Sequence, residues 1–215
     1  MPAMATRAYE QRARAEEAER TRMRIIEAVF TRLREAPAEP IAVDRIARMA
    51  GVARSTVYAI FGSRAGLLDA VGRELSERSG VDRLFDAKYQ RDARDYLRAG
   101  LRAASEMYAQ NRDIYRALYS MAQLDDQAVG GAVKRREEAR AEGMRRLAGR
   151  LAEQGVLRKG LTANDAEDVL WVLTSFESFD LLYAGRGLSL ERTIEVLIET
   201  AERALYARPY KRSGH

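Results

Sequence analysis

Ile26, Val29, Phe30 and Leu33 recur at i, i+3, i+4 and i+7, so one stripe of a helix is apolar until Pro37 and Pro40 stop it. Val43, Ile46, Ala47 and Ala50 repeat the spacing over a shorter stretch that Gly51 ends, glycine being the residue that takes positive φ cheaply just past a helix. Val52 fills the corner, and Val57 and Phe61, four apart, turn inward from a second short helix. A further helix starts near Ser63, an N-cap residue type, and carries Leu67, Leu68, Val71 and Leu75. Residues 92–110 and 112–123 read as two helices broken near Asn111, with Leu97, Leu101, Met107, Tyr108, Ile114, Leu118 and Met121 as apolar positions. A long charged helix spans about 126–154 and closes at Gly155. From Asp165 to Tyr183, apolar residues from Val169 to Leu182 cover nearly the whole circumference, which predicts one helix buried on more than one side. After a Gly185-Arg186-Gly187 turn, Ile194, Leu197, Ile198, Ala201 and Leu205 form the seam of a last helix. With only four prolines, these stretches predict an all-α protein.

The two short helices between Val43 and Phe61, joined at Gly51, have the layout of a helix-turn-helix that reads DNA. Arg54 and Tyr58 are four apart and Ser55 and Tyr58 three apart, so they share the solvent face of the second helix, with Thr56 beside them in its first turn. Guanidinium, hydroxyl and phenol groups beside free helix N–H donors suit phosphate oxygens and base edges in a major groove. Arg64, at the start of the following helix, is placed on a phosphate, and Val43 and Ile60 complete the candidate DNA-binding set.

Ala53-Arg54-Ser55-Thr56-Val57-Tyr58, followed by Phe61-Gly62-Ser63-Arg64-Ala65-Gly66-Leu67-Leu68, resembles the DNA-binding domain of TetR-type transcriptional regulators. The resemblance runs from Ile25 to Val71. A bare Ala-x-x-x-Gly turn is common, whereas that turn with Tyr58, Phe61, Arg64 and Leu67-Leu68 in one register is not. The chain departs from the pattern at Ala42, where Thr is favoured, at Ala53, where Ser is, and at Ile60, where His is, so two hydroxyls and one polar group are missing. The resemblance implies an N-terminal helix-turn-helix domain over 1–75 and a helical effector-binding and dimerisation domain over 76–215. It also implies that the last two helices pair with their copies across a two-fold, setting two recognition helices roughly 34–36 Å apart on a palindromic operator. Leu173, Ile194, Leu197, Ile198, Ala201 and Leu205 are the expected interface. A monomer that buries both helices in its own core is the competing expectation.

Composition narrows the choice. The net charge of +5 and a pI of about 9.6 over 215 residues favour an anionic partner such as double-stranded DNA. Arginine supplies nearly all of the positive charge, since lysine stands only at positions 88, 134, 159 and 211. Residues 5–20 are polar on every side and carry opposite charges four apart, as at Arg12 and Glu16, so they either extend the first helix or fray. Within a possible arm over 1–20, Arg7, Arg12 and Arg14 are candidates for the DNA backbone or a minor groove. No apolar run approaches the ~20 residues of a membrane span and the N-terminus lacks the apolar stretch of a signal peptide, so a cytoplasmic protein without a membrane partner is expected.

Catalytic chemistry finds little to work with. Cysteine is absent and the single histidine, His215, ends the chain, so neither a Ser-His-Asp nor a Cys-His arrangement nor a His-rich metal site assembles. Gly130-Gly131-Ala132-Val133-Lys134 lacks the spacing of a phosphate-binding loop. No enzyme, cofactor or metal is expected. An effector cavity is: Tyr108, Tyr115, Tyr119, Met107, Met121, Trp171, Phe176 and Phe179 offer large apolar surface on helices that the resemblance places around a ligand, which predicts an apolar or aromatic effector. Glu177 and Asp180, three apart in an apolar helix, require an arginine of the same fold, the other subunit or a cationic group on the ligand. The leading expectation is a repressor released by a small molecule. A DNA-binding protein without such an effector, and a helical ligand-binding module that has lost DNA binding, are the alternatives.

Overall fold

A computed structural model describes residues 3–37, 39–79, 92–124 and 131–207. The fold is all-α. Among the described residues no strand occurs apart from an isolated antiparallel bridge between Leu157 and Tyr206. Among the described residues the helices are α1 (Ala3–Glu35), α2 (Val43–Met49), α3 (Arg54–Phe61), α4 (Arg64–Ser79), α5 (Ala93–Gln110), α6 (Arg112–Leu124), α7 (Gly131–Glu153), α8 (Ala163–Leu173), α9 (Phe176–Asp180) with a π-turn after it over Leu181–Gly185, and α10 (Leu190–Leu205). They fall into two compact units, 1–74 with 116–133 and 75–115 with 134–215. The second half of α6 thus clusters with the N-terminal unit, an assignment that reading the chain linearly does not anticipate.

In the first unit α1 packs on α2 and α2 on α3. The stripe Ile26, Val29, Phe30 and Leu33 is buried, as are Ile46, Ala47 and Val57, and each large aliphatic or aromatic side chain among them contributes roughly 1.5–3 kcal/mol by leaving water. The polar stretch before this stripe extends the helix: α1 is continuous from Ala3, and residues 12–20 are exposed all round. Arg32 is buried beneath the chain that leaves α1, where it donates to the Ala36 carbonyl at 2.7 Å and to Glu39 Oε2 at 2.5 Å, pinning the α1–α2 connection. Gly51 adopts φ +66° and Val52 N–H returns to the Ala47 carbonyl at 2.9 Å, which makes the sharp turn between the two short helices. At Gly66 an added Cβ would lie 2.1 Å from the Phe61 carbonyl oxygen, so only glycine lets α4 start this close to the end of α3. Ser63 caps that start, its Oγ accepting the Gly66 N–H at 2.9 Å.

The second unit is built around α10, which packs on α5 and α8. Its core holds Tyr96, Leu97 and Leu101 of α5, Leu147 and Leu151 of α7, Leu170 of α8, and Leu197, Ala201 and Leu205 of α10. Serine, threonine and aspartate start the helices: Asp92 caps α5, Thr162 and Asp165 form a capping box on α8, and Ser189 caps α10. Gly155 closes α7 at φ +64° as expected, while the stretch before Gly131 lies outside the described residues.

Between Asp165 and Tyr183 the structure departs from the single expected helix, which breaks at Thr174-Ser175. Thr174 Oγ1 donates to the Leu170 carbonyl at 2.7 Å, and Ser175 Oγ donates to the Val172 carbonyl at 2.9 Å while accepting the Ser178 N–H at 3.1 Å. These hydroxyls take over backbone groups that would otherwise carry the helix forward. Nor is this segment buried on more than one side within the chain: Trp171, Val172 and Leu181 are 36, 56 and 68% exposed.

Candidate nucleic-acid interface

Helix α3 turns Val57 into the core and leaves Arg54, Ser55 and Tyr58 on its outer face, with Thr56 and Ile60 half buried at the edges. Ala53 precedes it in extended conformation without a side chain that can cap it. The first turn therefore has no side-chain acceptor from its N-cap, only the Ala53 carbonyl, which takes the Thr56 N–H at 3.0 Å, and the helix dipole at this end favours an anion. Arg54 is held rather than loose. Its Nη1 lies 3.1 and 3.3 Å from the two carboxylate oxygens of Asp44 in the first turn of α2, and its Nη2 donates to the Tyr58 hydroxyl at 3.3 Å. The guanidinium carbon lies 5.4 Å from the centre of the Tyr58 ring. The Tyr58 hydrogen bond first, and then the Asp44 charge, hold the Arg54 pKa above its ordinary value, so the group is a permanent cation.

Val43 does not belong to this surface. It is 7% exposed and sits on the inward face of α2 with Ile46 and Ala47, so it supports the motif instead of touching DNA. Arg64 opens α4 and is half buried. Asp44 was not among the expected site residues. It stands ten positions from Arg54, beyond the reach of any helical periodicity, and its place in the first turn of the helix before the turn is the only sequence signal that marks it. Arg12 and Arg14 lie on the exposed part of α1, while the side chain of Arg7 lies outside the described residues.

The expected effector residues separate into groups. Tyr108, Tyr115, Phe176 and Phe179 come together in one buried cluster with ring centres 5.0–5.7 Å apart. The Arg136 guanidinium lies 4.7 Å from the Tyr115 ring centre and 5.7 Å from that of Tyr108. Burial pushes the Tyr108 pKa up, and its neutral hydroxyl donates to the Thr174 carbonyl at 3.1 Å. Met107 is buried with its sulfur 3.8 Å from Arg136 Nη2. Trp171 points away from the cluster: it is partly exposed, and the Arg140 guanidinium stacks 3.7 Å from its ring centre. Tyr119 and Met121 belong to the segment that clusters with the N-terminal unit. Glu177 is exposed and needs no buried partner, and Asp180 has found one in its own chain, Arg112 Nε at 2.5 Å. The carboxylates therefore give no reason to expect a cationic ligand.

The expected dimer seam also needs correction. Ile194, Leu197, Ala201 and Leu205 are at most 3% exposed within this single chain, and Leu197, Ala201 and Leu205 lie in the core against α5 and α8. Leu173 and Ile198 are half buried at the edge of that core. Among the described residues of the second unit, the large apolar side chains that stay exposed are Trp171 and Val172 of α8 and Leu181 of the π-turn.

Among the described residues no helix is long and apolar enough to cross a membrane, and no group of three or more potential metal ligands is gathered. Residues 25–71 match the profile of the family described as bacterial regulatory proteins, tetR family. No curated protein matches the chain by sequence. Its fold is similar to that of NalD, the secondary repressor of the MexAB-OprM multidrug efflux pump in Pseudomonas aeruginosa, with TM-score 0.68 and 23% identity over 87% of this chain and 98% of NalD. A TetR family transcription regulator from Marinobacter aquaeolei VT8 is similar at TM-score 0.64 and 17% identity, over 91% of this chain and all of the other. A TetR-like regulator from Rhodococcus sp. RHA1 gives 0.61 and 19%, over 85 and 94% of the two chains. At these identities the likeness is one of fold. The sequence match across residues 25–71 identifies the helix-turn-helix segment as a DNA-binding domain of the type found in the tetR family of bacterial regulatory proteins, carried on a fold that is similar along most of the chain to solved regulators of that family.

Proposed function

We propose that the protein is a cytoplasmic transcriptional repressor that binds a palindromic operator as a homodimer and is released by a small apolar or aromatic molecule. The observation that carries the DNA-binding part is the outer face of α3, where Arg54, Ser55 and Tyr58 stand exposed on a helix whose opposite side is locked by Val57. NalD, of similar fold, is itself a repressor. The exposed apolar side chains of Val172 and Leu181, with the part-exposed Trp171, support assembly with a second copy, and two recognition helices on a two-fold read a palindrome. For the effector, the support is the cluster of Tyr108, Tyr115, Phe176 and Phe179, whose large aromatic surface suits an apolar or aromatic molecule.

A ligand releases DNA only through unequal affinity for two conformations. In a band-shift assay on DNA upstream of its own coding sequence, the protein is expected to form a salt-sensitive complex, and an effector from a compound library is expected to dissolve it while raising the melting temperature. Phe176→Ala should weaken that response without abolishing DNA binding. Failure to bind any such DNA would remove the repressor reading; binding that no compound relieves would leave a regulator without a small-molecule effector.

The exposed first part of α1 adds a basic arm in this reading, with Arg12 and Arg14 on the phosphate backbone. Truncation of residues 1–18 is expected to flatten the dependence of log K on log salt by about 0.9 for each phosphate that the arm neutralises in the full-length protein. An unchanged slope assigns the arm no part in binding.

A further inference from the structure

We propose that Asp44 is a positioning residue for base recognition: it holds Arg54 in a reading geometry and repels DNA on which Arg54 finds no base partner. This rests on the DNA-binding reading given above and names the residue that sets its selectivity. Three groups restrain the Arg54 guanidinium from two helices: the Asp44 carboxylate at 3.1 and 3.3 Å from α2, and from α3 the Tyr58 hydroxyl at 3.3 Å and the Tyr58 ring beneath. Both partners bind terminal nitrogens, and a guanidinium carries five N–H donors, so donors remain for the O6 and N7 acceptors of a guanine edge. An arginine ordered before binding gives up less rotamer freedom in the complex than one that must be ordered by DNA.

A place in the first turn of α2 suits an acid by the helix dipole but does not require that it pair with Arg54. Asp44 and Arg54 have side chains 59 and 58% exposed, and an ion pair that open to water adds little to folding. A carboxylate beside the recognition helix also lowers attraction to every phosphate near it. Lost general affinity is offset where a cognate base engages Arg54 and is not offset elsewhere, which is how a repulsive group produces specificity.

The test selects binders from a pool of duplexes with about 30 random base pairs, wide enough for two half-sites, using the full-length protein, Asp44→Asn, Arg54→Ala and the double variant. Arg54→Ala is expected to relax preference at one symmetric pair of positions, and Asp44→Asn to lose about tenfold discrimination at the same positions while binding random duplex more tightly. The double variant should select like Arg54→Ala alone, because Asp44 acts through Arg54. Circular dichroism and melting temperature should match the parent, and a merely structural role for Asp44 would not move a position-specific preference. Full discrimination by Asp44→Asn at the positions that Arg54→Ala relaxes would overturn the proposal. So would an Arg54→Ala variant that selects like the parent, with DNA binding itself still standing; a parent protein that enriches no sequence would remove both.

Discussion

Arg54→Ala and Tyr58→Ala are each expected to weaken operator binding by about 1–3 kcal/mol, roughly 5- to 150-fold in Kd, with no measurable change in melting temperature. The two halves of this expectation come from different features. Both side chains stand on the exposed face of α3, so alanine there opens no cavity, and the Arg54–Asp44 pair is too solvated to carry much stability. The same exposure places the guanidinium and phenol where a base edge or phosphate meets them. Loss of either also frees the other, since the Tyr58 hydroxyl accepts from Arg54 and its ring lies under the guanidinium. The double variant should accordingly cost less than the sum of the two single changes. Fluorescence anisotropy on the selected operator, beside a thermal melt, reads both halves. Operator affinity equal to the parent in both single variants would show that α3 does not read DNA through this face.

Leu197→Glu is expected to damage the fold and Val172→Glu only the assembly. Leu197 is 3% exposed between α10 and the helices it packs on, so glutamate there exchanges a buried isobutyl group for an unpaired charge, at a cost on the order of 4 kcal/mol or more. For a chain of this length that lowers the melting temperature by roughly 10 °C. Val172 is 56% exposed and Leu181 68%, so glutamate at either stays in water in a single chain and becomes costly only when a second chain covers it. Light scattering at micromolar concentration should report a folded monomer for Val172→Glu and Leu181→Glu and a dimer for the parent. Dimers of unchanged affinity from both surface variants would place the interface elsewhere.

The N-terminal unit was legible in the sequence because its information is local. The stripe from Ile26 to Leu33, the positive φ at Gly51, the inward Val57 and the Ser63 cap depend on neighbours within a turn or two, and a period near 3.6 with a glycine at its end specifies such neighbours. The outward set Arg54, Ser55 and Tyr58 followed as the remainder of that pattern. Val43 was misplaced within it, since the spacing that put it on the apolar face already argued for burial.

The second unit shows where such reasoning stops. Periodicity established that α10 has an apolar seam at Leu197, Ala201 and Leu205; it carried no information on whether α5 and α8 of the same chain or a second copy would cover it, because hydrophobic burial is non-directional and rewards either. Only the tertiary packing decided that, and in doing so it left the outer side of α8 and the π-turn open. The break at Thr174-Ser175 lay within reach of the sequence, since two adjacent hydroxyl residues can compete for backbone groups, but the apolar run around them outweighed it. Pairings of charges distant in the chain were out of reach: Arg112 with Asp180, 68 positions apart, and Arg54 with Asp44 across the turn. A sequence states which residues need a partner, through burial and charge, whereas the identity of the partner depends on which helices the whole chain brings within 3 or 4 Å of one another.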